Sequence, residues 1–293
     1  MSSPENQDFD PQMLDSEPQP QATPVVETFA LPQAQPVPPT PKYNENPVWS
    51  GWDVLQIAGL TLFTLFIAQL LIVLGARHFA FPHASFMEVA QKPSLALLSE
   101  LLTYVAVALY MILLVEGKYH ARFWQAIRWN WPGIAGVSFL GIGVLMLGGL
   151  GLLEKVLPMP KSTPFDQFLA HRSDAYLTAV FAVTLGPLME EVFFRGFLYP
   201  VVARRTGAVP AILITGVLFG AIHSPQYGYS WAVLIIVLVG LVLTTIRAVT
   251  KSVASSFLAH VGYNGIQMIL LIWATDGFRH MEKAAVLLSC IKP

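Results

Sequence analysis

The chain is short of charge. Only 12% of its 293 residues are Asp, Glu, Lys or Arg, about half the ~25% of ordinary soluble domains. A surface wetted all round is hard to build from so few. Cysteine is scarcer still. Cys290 stands alone, which excludes an internal disulfide framework and a thiolate metal cluster. There is no basic excess either, with 17 Lys and Arg against 18 Asp and Glu for a net charge of −1. Neither nucleic acid nor another polyanion is expected as a partner. The chain does not open with the basic start and apolar run of a signal peptide, and it contains no H-E-x-x-H. The closing Cys290-Ile291-Lys292-Pro293 has the spacing of a prenylation box, but Lys and Pro are poor residues there, and the match is read as coincidence.

What the chain has in quantity is apolar sequence, 54% hydrophobic with a mean hydropathy of +0.56. The first 49 residues differ from the rest. They hold 11 of the 22 prolines, seven acidic residues and one lysine, Lys42. Such a segment buries too little apolar surface to offset its ordering entropy, so a disordered tail is expected over 1–49. Beyond it, apolar runs recur at 54–76, 95–115, 133–153, 175–203, 207–223, 231–246 and 253–275. A spanning helix needs about 20 such residues. The run at 95–115 holds one charge, Glu100, and none of the seven holds an aspartate. The run at 133–153 is rich in glycine, which permits close helix–helix approach.

The expected fold is therefore all-α, a polytopic transmembrane bundle of about seven spanning helices. Its parts are N-terminal transmembrane helices over 50–160, a second helical block over 175–275 and a short polar C-terminal tail over 276–293. The lipid bilayer is the expected surrounding. Lysines and arginines divide eight against eight between the two sides, so the positive-inside rule gives no majority. The dense pairs Arg204-Arg205 and Arg247–Lys251 favour a cytoplasmic N-terminus. Trp49, Trp52, Trp129, Trp131 and Trp231 fall at span boundaries, where aromatic belts are expected.

Within the fourth run stands LMEEVFFRGFLYP. A charged residue at the bilayer centre costs roughly 2.5–3.5 kcal/mol on insertion scales. Arg195 follows Glu191 by four residues, so the two can pair on one helix face. Glu190, about 100° away around the helix, has no such partner, and a spare buried carboxylate is a candidate general base. Gly186-Pro187 just before should kink the helix or start a new one. Two further runs carry polar residues at helical spacing, Phe219 with His223 and His260 with Asn264. A lone buried histidine is more often a hydrogen-bonded core residue. Two histidines, a double carboxylate and an asparagine on three spans are explained together by one polar pocket. His78, His83, His120, His171 and His280 lie outside the spans or at their edges and are read as solvated or interfacial. Phe193 and Phe194 are read as lipid contact or bundle packing.

The set Glu190-Glu191-Val-Phe-Phe-Arg195, Phe219-Gly-Ala-Ile-His223 and His260-Val-Gly-Tyr-Asn264 resembles the three-motif signature of the CPBP family. These are intramembrane endopeptidases that include CAAX-processing and bacteriocin-processing relatives. The resemblance covers 175–275. It implies hydrolysis of peptide bonds in membrane-associated proteins or peptides, CAAX-type prenylated ones among them, in a multi-pass cell-membrane protein. A bacterial cytoplasmic membrane is the expected setting. By analogy, Glu190 with His223 activates water, His260 and Asn264 supply oxyanion donors, and Arg195 and Phe219 support them, with Arg195 holding Glu191. The competing version puts zinc on His223, His260 and Glu190.

Other classes stay open. A non-catalytic scaffold or bacteriocin-immunity protein would keep the fold without the reaction, and a proton-coupled transporter also uses intramembrane carboxylates and histidines. A rhomboid-like serine protease built on Ser138 would leave Glu190, Glu191 and Arg195 unexplained. An aspartyl protease lacks its aspartates.

Overall fold

In the computed structural model, which describes residues 45–281, every one of the seven apolar runs is helical, and no strand occurs among the described residues. The helices are α1 (Gly51–Phe79), α2 (Pro93–Lys118), α3 (Gly133–Glu154), α4 (Arg172–Thr206), α5 (Ala208–Ile222), α6 (Trp231–Thr250) and α7 (Val253–Ala274). All but α5 are long and apolar enough to cross a membrane. At 15 residues α5 is apolar but shorter than a full span. Large apolar side chains such as Leu62, Phe66, Leu145 and Trp273 are exposed. Water would not hold such a surface, whereas lipid would.

α1 starts three residues before its apolar run because Ser50 caps it. The Ser50 side chain accepts from the Asp53 amide while Asp53 accepts from the Ser50 amide, a capping box. Asp53 is therefore inside the helix, fully buried, and takes Lys118 Nζ at 2.6 Å and the Tyr119 hydroxyl at 2.6 Å. The start of α1 is thus tied to the end of α2, and the two helices pack together.

Glycine sets two other pairings. α3 lies along α7 and α5 along α6. A Cβ on Gly143 would collide with the Ala259 carbonyl, and one on Gly262 with the Leu140 carbonyl. Gly216, Gly220 and Gly240 make the same close approach between α5 and α6. Of the glycines in the 133–153 run, Gly141, Gly148, Gly149 and Gly151 have nothing within 4 Å of the Cβ position. Close contact there comes mainly from Gly143.

α4 is not one continuous helix. It breaks at Thr184 (φ −117, ψ −80), restarts as Leu185–Glu190 and widens into a π-helical stretch, Glu191–Leu198. Pro187, two residues inside the restarted helix, has no N–H to offer the preceding turn. At the far end of the wide stretch the Tyr199 amide donates to the Phe194 carbonyl, five residues back. The expected kink at Gly186-Pro187 is thus a break followed by a change of helix type.

Packing begins ahead of α1. Residues 1–44 of the expected tail lie outside the described residues, as do Cys290 and the rest of 282–293. Glu45 and Trp49, in the last part of that tail, are both buried. Glu45 pairs with Arg247 at 3.0 Å and Arg128 at 3.1 Å, and Arg204 donates to the Pro47 carbonyl at 3.0 Å. Trp49 is 1% exposed, and its indole N–H donates to the Phe197 carbonyl at 3.1 Å. Trp49 is therefore an internal anchor, while Trp52, Trp131 and Trp231 are exposed as an interfacial belt would have them. At the other end Phe278, within the expected C-terminal tail, is buried against Tyr176.

Candidate active site

The wide stretch of α4 places Glu191 and Arg195 in the middle of the bundle, both fully buried. Arg195 Nη1 donates to Glu191 Oε1 at 2.7 Å, so the pair that the spacing suggests is formed. Two more donors of the same guanidinium reach α6. Nη2 meets the Gly240 carbonyl at 3.0 Å and Nε meets Thr244 Oγ1 at 3.3 Å. The Phe219 ring covers the guanidinium at 4.4 Å. Phe194 is buried in the same core and Phe193 packs against it, so this pair belongs to the bundle interior.

Both histidines are oriented by their Nδ1 atoms. His223, at the end of α5, holds Nδ1 2.7 Å from the Phe219 carbonyl. His260, on α7, holds Nδ1 3.0 Å from Glu191 Oε1. A carbonyl and an arginine-paired carboxylate can only accept, so both Nδ1 atoms carry the proton. Each Nε2 then faces Glu190, His223 at 3.7 Å from Oε1 and His260 at 3.7 Å from Oε2. Glu190, with its side chain 21% exposed, lies between the two rings and in the wall of a cavity of about 280 Å3.

Asn264 lines the same cavity, four residues after His260. Its Nδ2 donates at 2.7 Å to the carbonyl of Ala182. That carbonyl lies in the last turn before the α4 break, where no intrahelical amide follows to satisfy it. Asn264 thus has a structural task, and its second amide hydrogen and Oδ1 are left for the cavity.

All five expected site residues, Glu190, Glu191, His223, His260 and Asn264, are therefore gathered, with Arg195 and Phe219 behind them. The zinc set His223, His260 and Glu190 is brought face to face. Even so, no group of three His, Cys, Asp or Glu side chains among the described residues is disposed to hold a metal ion. No step below is assigned to such an ion.

The site also contains residues that sequence reasoning left unassigned. Gly240 and Thr244 hold Arg195. Glu100 and Tyr104 from α2 and Glu154 from α3 line the cavity. Glu100 was visible as the lone charge of its run, but nothing in the pattern said which way it faced.

Residues 172–266 match the family described as Type II CAAX prenyl endopeptidase Rce1-like. The match spans every motif above and supports membership of the CPBP family. It does not reach α1, α2 or α3. No curated protein and no solved structure matches the chain.

Proposed function

With CPBP membership supported over 172–266, we propose that this multi-pass membrane protein is an intramembrane endopeptidase of the CAAX-protease type that hydrolyses peptide bonds of membrane-associated substrates. One observation carries the reading. Glu190 stands between two imidazole Nε2 atoms, each 3.7 Å away, on the wall of the cavity of about 280 Å3. Those separations are long for direct hydrogen bonds and suit a small molecule shared between the three groups.

The steps follow from which atoms are already committed. Glu190 takes a proton from a water as its oxygen bonds to the scissile carbonyl carbon, and His223 Nε2 accepts the second hydrogen bond of that water. Charge then gathers on the former carbonyl oxygen. The free amide hydrogen of Asn264 donates to it, and His260 can donate from Nε2 as well only as an imidazolium that carries a proton on each ring nitrogen. The C–N bond breaks as Glu190 returns the proton to the leaving amine, which balances the hydrolysis. Glu191 takes no proton in this scheme. It fixes the His260 ring, and Arg195 fixes Glu191.

The test is cleavage of fluorogenic peptides by the purified protein in detergent, with Glu190→Gln beside the wild type and a chelator in parallel. Loss of about 10²–10⁴ in rate is expected for the variant, the usual contribution of a positioned general base, with no loss on chelation. Abolition by chelator and rescue by zinc would replace this mechanism with the metal one. A wild type that cuts no peptide, while Glu190→Gln melts as it does, would transfer the assignment to a non-catalytic scaffold.

A further inference from the structure

Three carboxyl groups, Glu100, Glu154 and Glu190, line the cavity together with the imidazoles of His223 and His260, and no Lys or Arg among the described residues does. Arg195, nearby in the bundle, is occupied by Glu191, Gly240 and Thr244 and is screened by the Phe219 ring. Glu100 is held in place. The Tyr104 hydroxyl donates to its Oε1 at 2.7 Å, and the Tyr104 ring is stacked on Phe181 with centroids 5.5 Å apart. That leaves Glu100 Oε2 without a hydrogen bond among the described residues. Phe165 and Tyr227, stacked at 5.7 Å, belong to the same wall. Aromatic faces of this kind favour cations. A lysine or arginine side chain that enters the cavity would find in Glu100 Oε2 an acceptor for a charge-assisted hydrogen bond.

We propose that Glu100, oriented by Tyr104, determines specificity by accepting a lysine or arginine side chain beside the bond to be cut. The assignment of Glu100 to a position beside the scissile bond rests on the hydrolase reading, while the charge preference in binding does not.

The experiment measures binding to the full chain in neutral detergent, by anisotropy of labelled apolar peptides that differ at one position, lysine, norleucine or glutamate, with empty micelles as the blank. The lysine peptide is expected to bind about tenfold more tightly than the norleucine one, the effect of one charge-assisted hydrogen bond, and the glutamate peptide most weakly. In Glu100→Gln the lysine-to-norleucine ratio falls toward one. Tyr104→Phe, which keeps the stacked ring and frees the carboxylate, lowers it part of the way and decides the matter if Glu100→Gln does not fold. Equal binding of all three peptides by the wild type, or an unchanged ratio in both variants, overturns the proposal. Cleavage followed in the same samples judges the other reading separately. Binding with charge preference but without cleavage removes the hydrolase and keeps the cation subsite, while cleavage without charge preference does the reverse.

Discussion

Arg195 satisfies three acceptors on two helices while buried from every side. Glu191 relies on it, since Glu191 Oε2 is buried with no hydrogen-bond partner among the described residues. Replacing Arg195 by Met would strand that carboxylate with His260 alone. The expected loss is about 3–5 kcal/mol, typical of breaking a buried ion pair from one side. A thermal melt in detergent reads it, and Arg195→Met with Glu191→Gln should melt higher than Arg195→Met alone. Equal melting of Arg195→Met and wild type would mean the pair contributes nothing. At this scale the motif residues were legible because helical spacing fixes which side chains share a face. Arg195's other partners, Gly240 and Thr244, were not, because that contact depends on how α4 meets α6. Trp49 was misjudged for a related reason: position at a span boundary predicts a belt residue, and only the fold shows a carbonyl within reach of its indole.

Among the elements, α4 departs most from regular helix, and it does so around the carboxylates. The break at Thr184 and the wide turns of Glu191–Leu198 bring consecutive residues to different neighbours, Glu190 to the cavity and Glu191 to the core. The proline announced the break, whereas the π-helical stretch was not legible, since Gly196 and the Val and Phe residues around it weaken a helix without saying which kind of turn replaces it. The α3–α7 pairing offers a sharper test. Gly262→Ala places a methyl against the Leu140 backbone and should cost about 1–3 kcal/mol, as overpacking does. Gly148→Ala has open space at its Cβ and should be neutral or stabilising by up to about 1 kcal/mol through helix propensity. Melting temperatures of the two variants should therefore move in opposite senses or differ clearly. If both behave alike, Gly143 and Gly262 do not set the helix separation. Composition made all these glycines look equivalent, and only the partner helix separates them.

For the whole molecule, the short strap of Glu45 to Trp49 is the contact that apolar runs could not foretell. A single acidic residue in a Pro-rich segment gives no sign that two arginines far along the chain await it. Glu45→Gln keeps the shape and removes the charge opposite Arg247, which is 1% exposed. The variant should melt lower than wild type, and protease should cut within 45–50 more quickly. Unchanged melting together with unchanged cutting would show that the ion pair does not hold the strap. Glu45 and Arg247 lie 202 residues apart. During synthesis the acid leaves the ribosome first, meets Arg128 early and gains its second arginine only when the end of α6 has been made. Every helix up to α6 must therefore emerge before the clasp is complete, so its completion serves as a late checkpoint. A chain arrested or truncated before Arg247 would leave Glu45 with Arg128 alone, a half-closed clasp that marks it as unfinished to a quality-control protease.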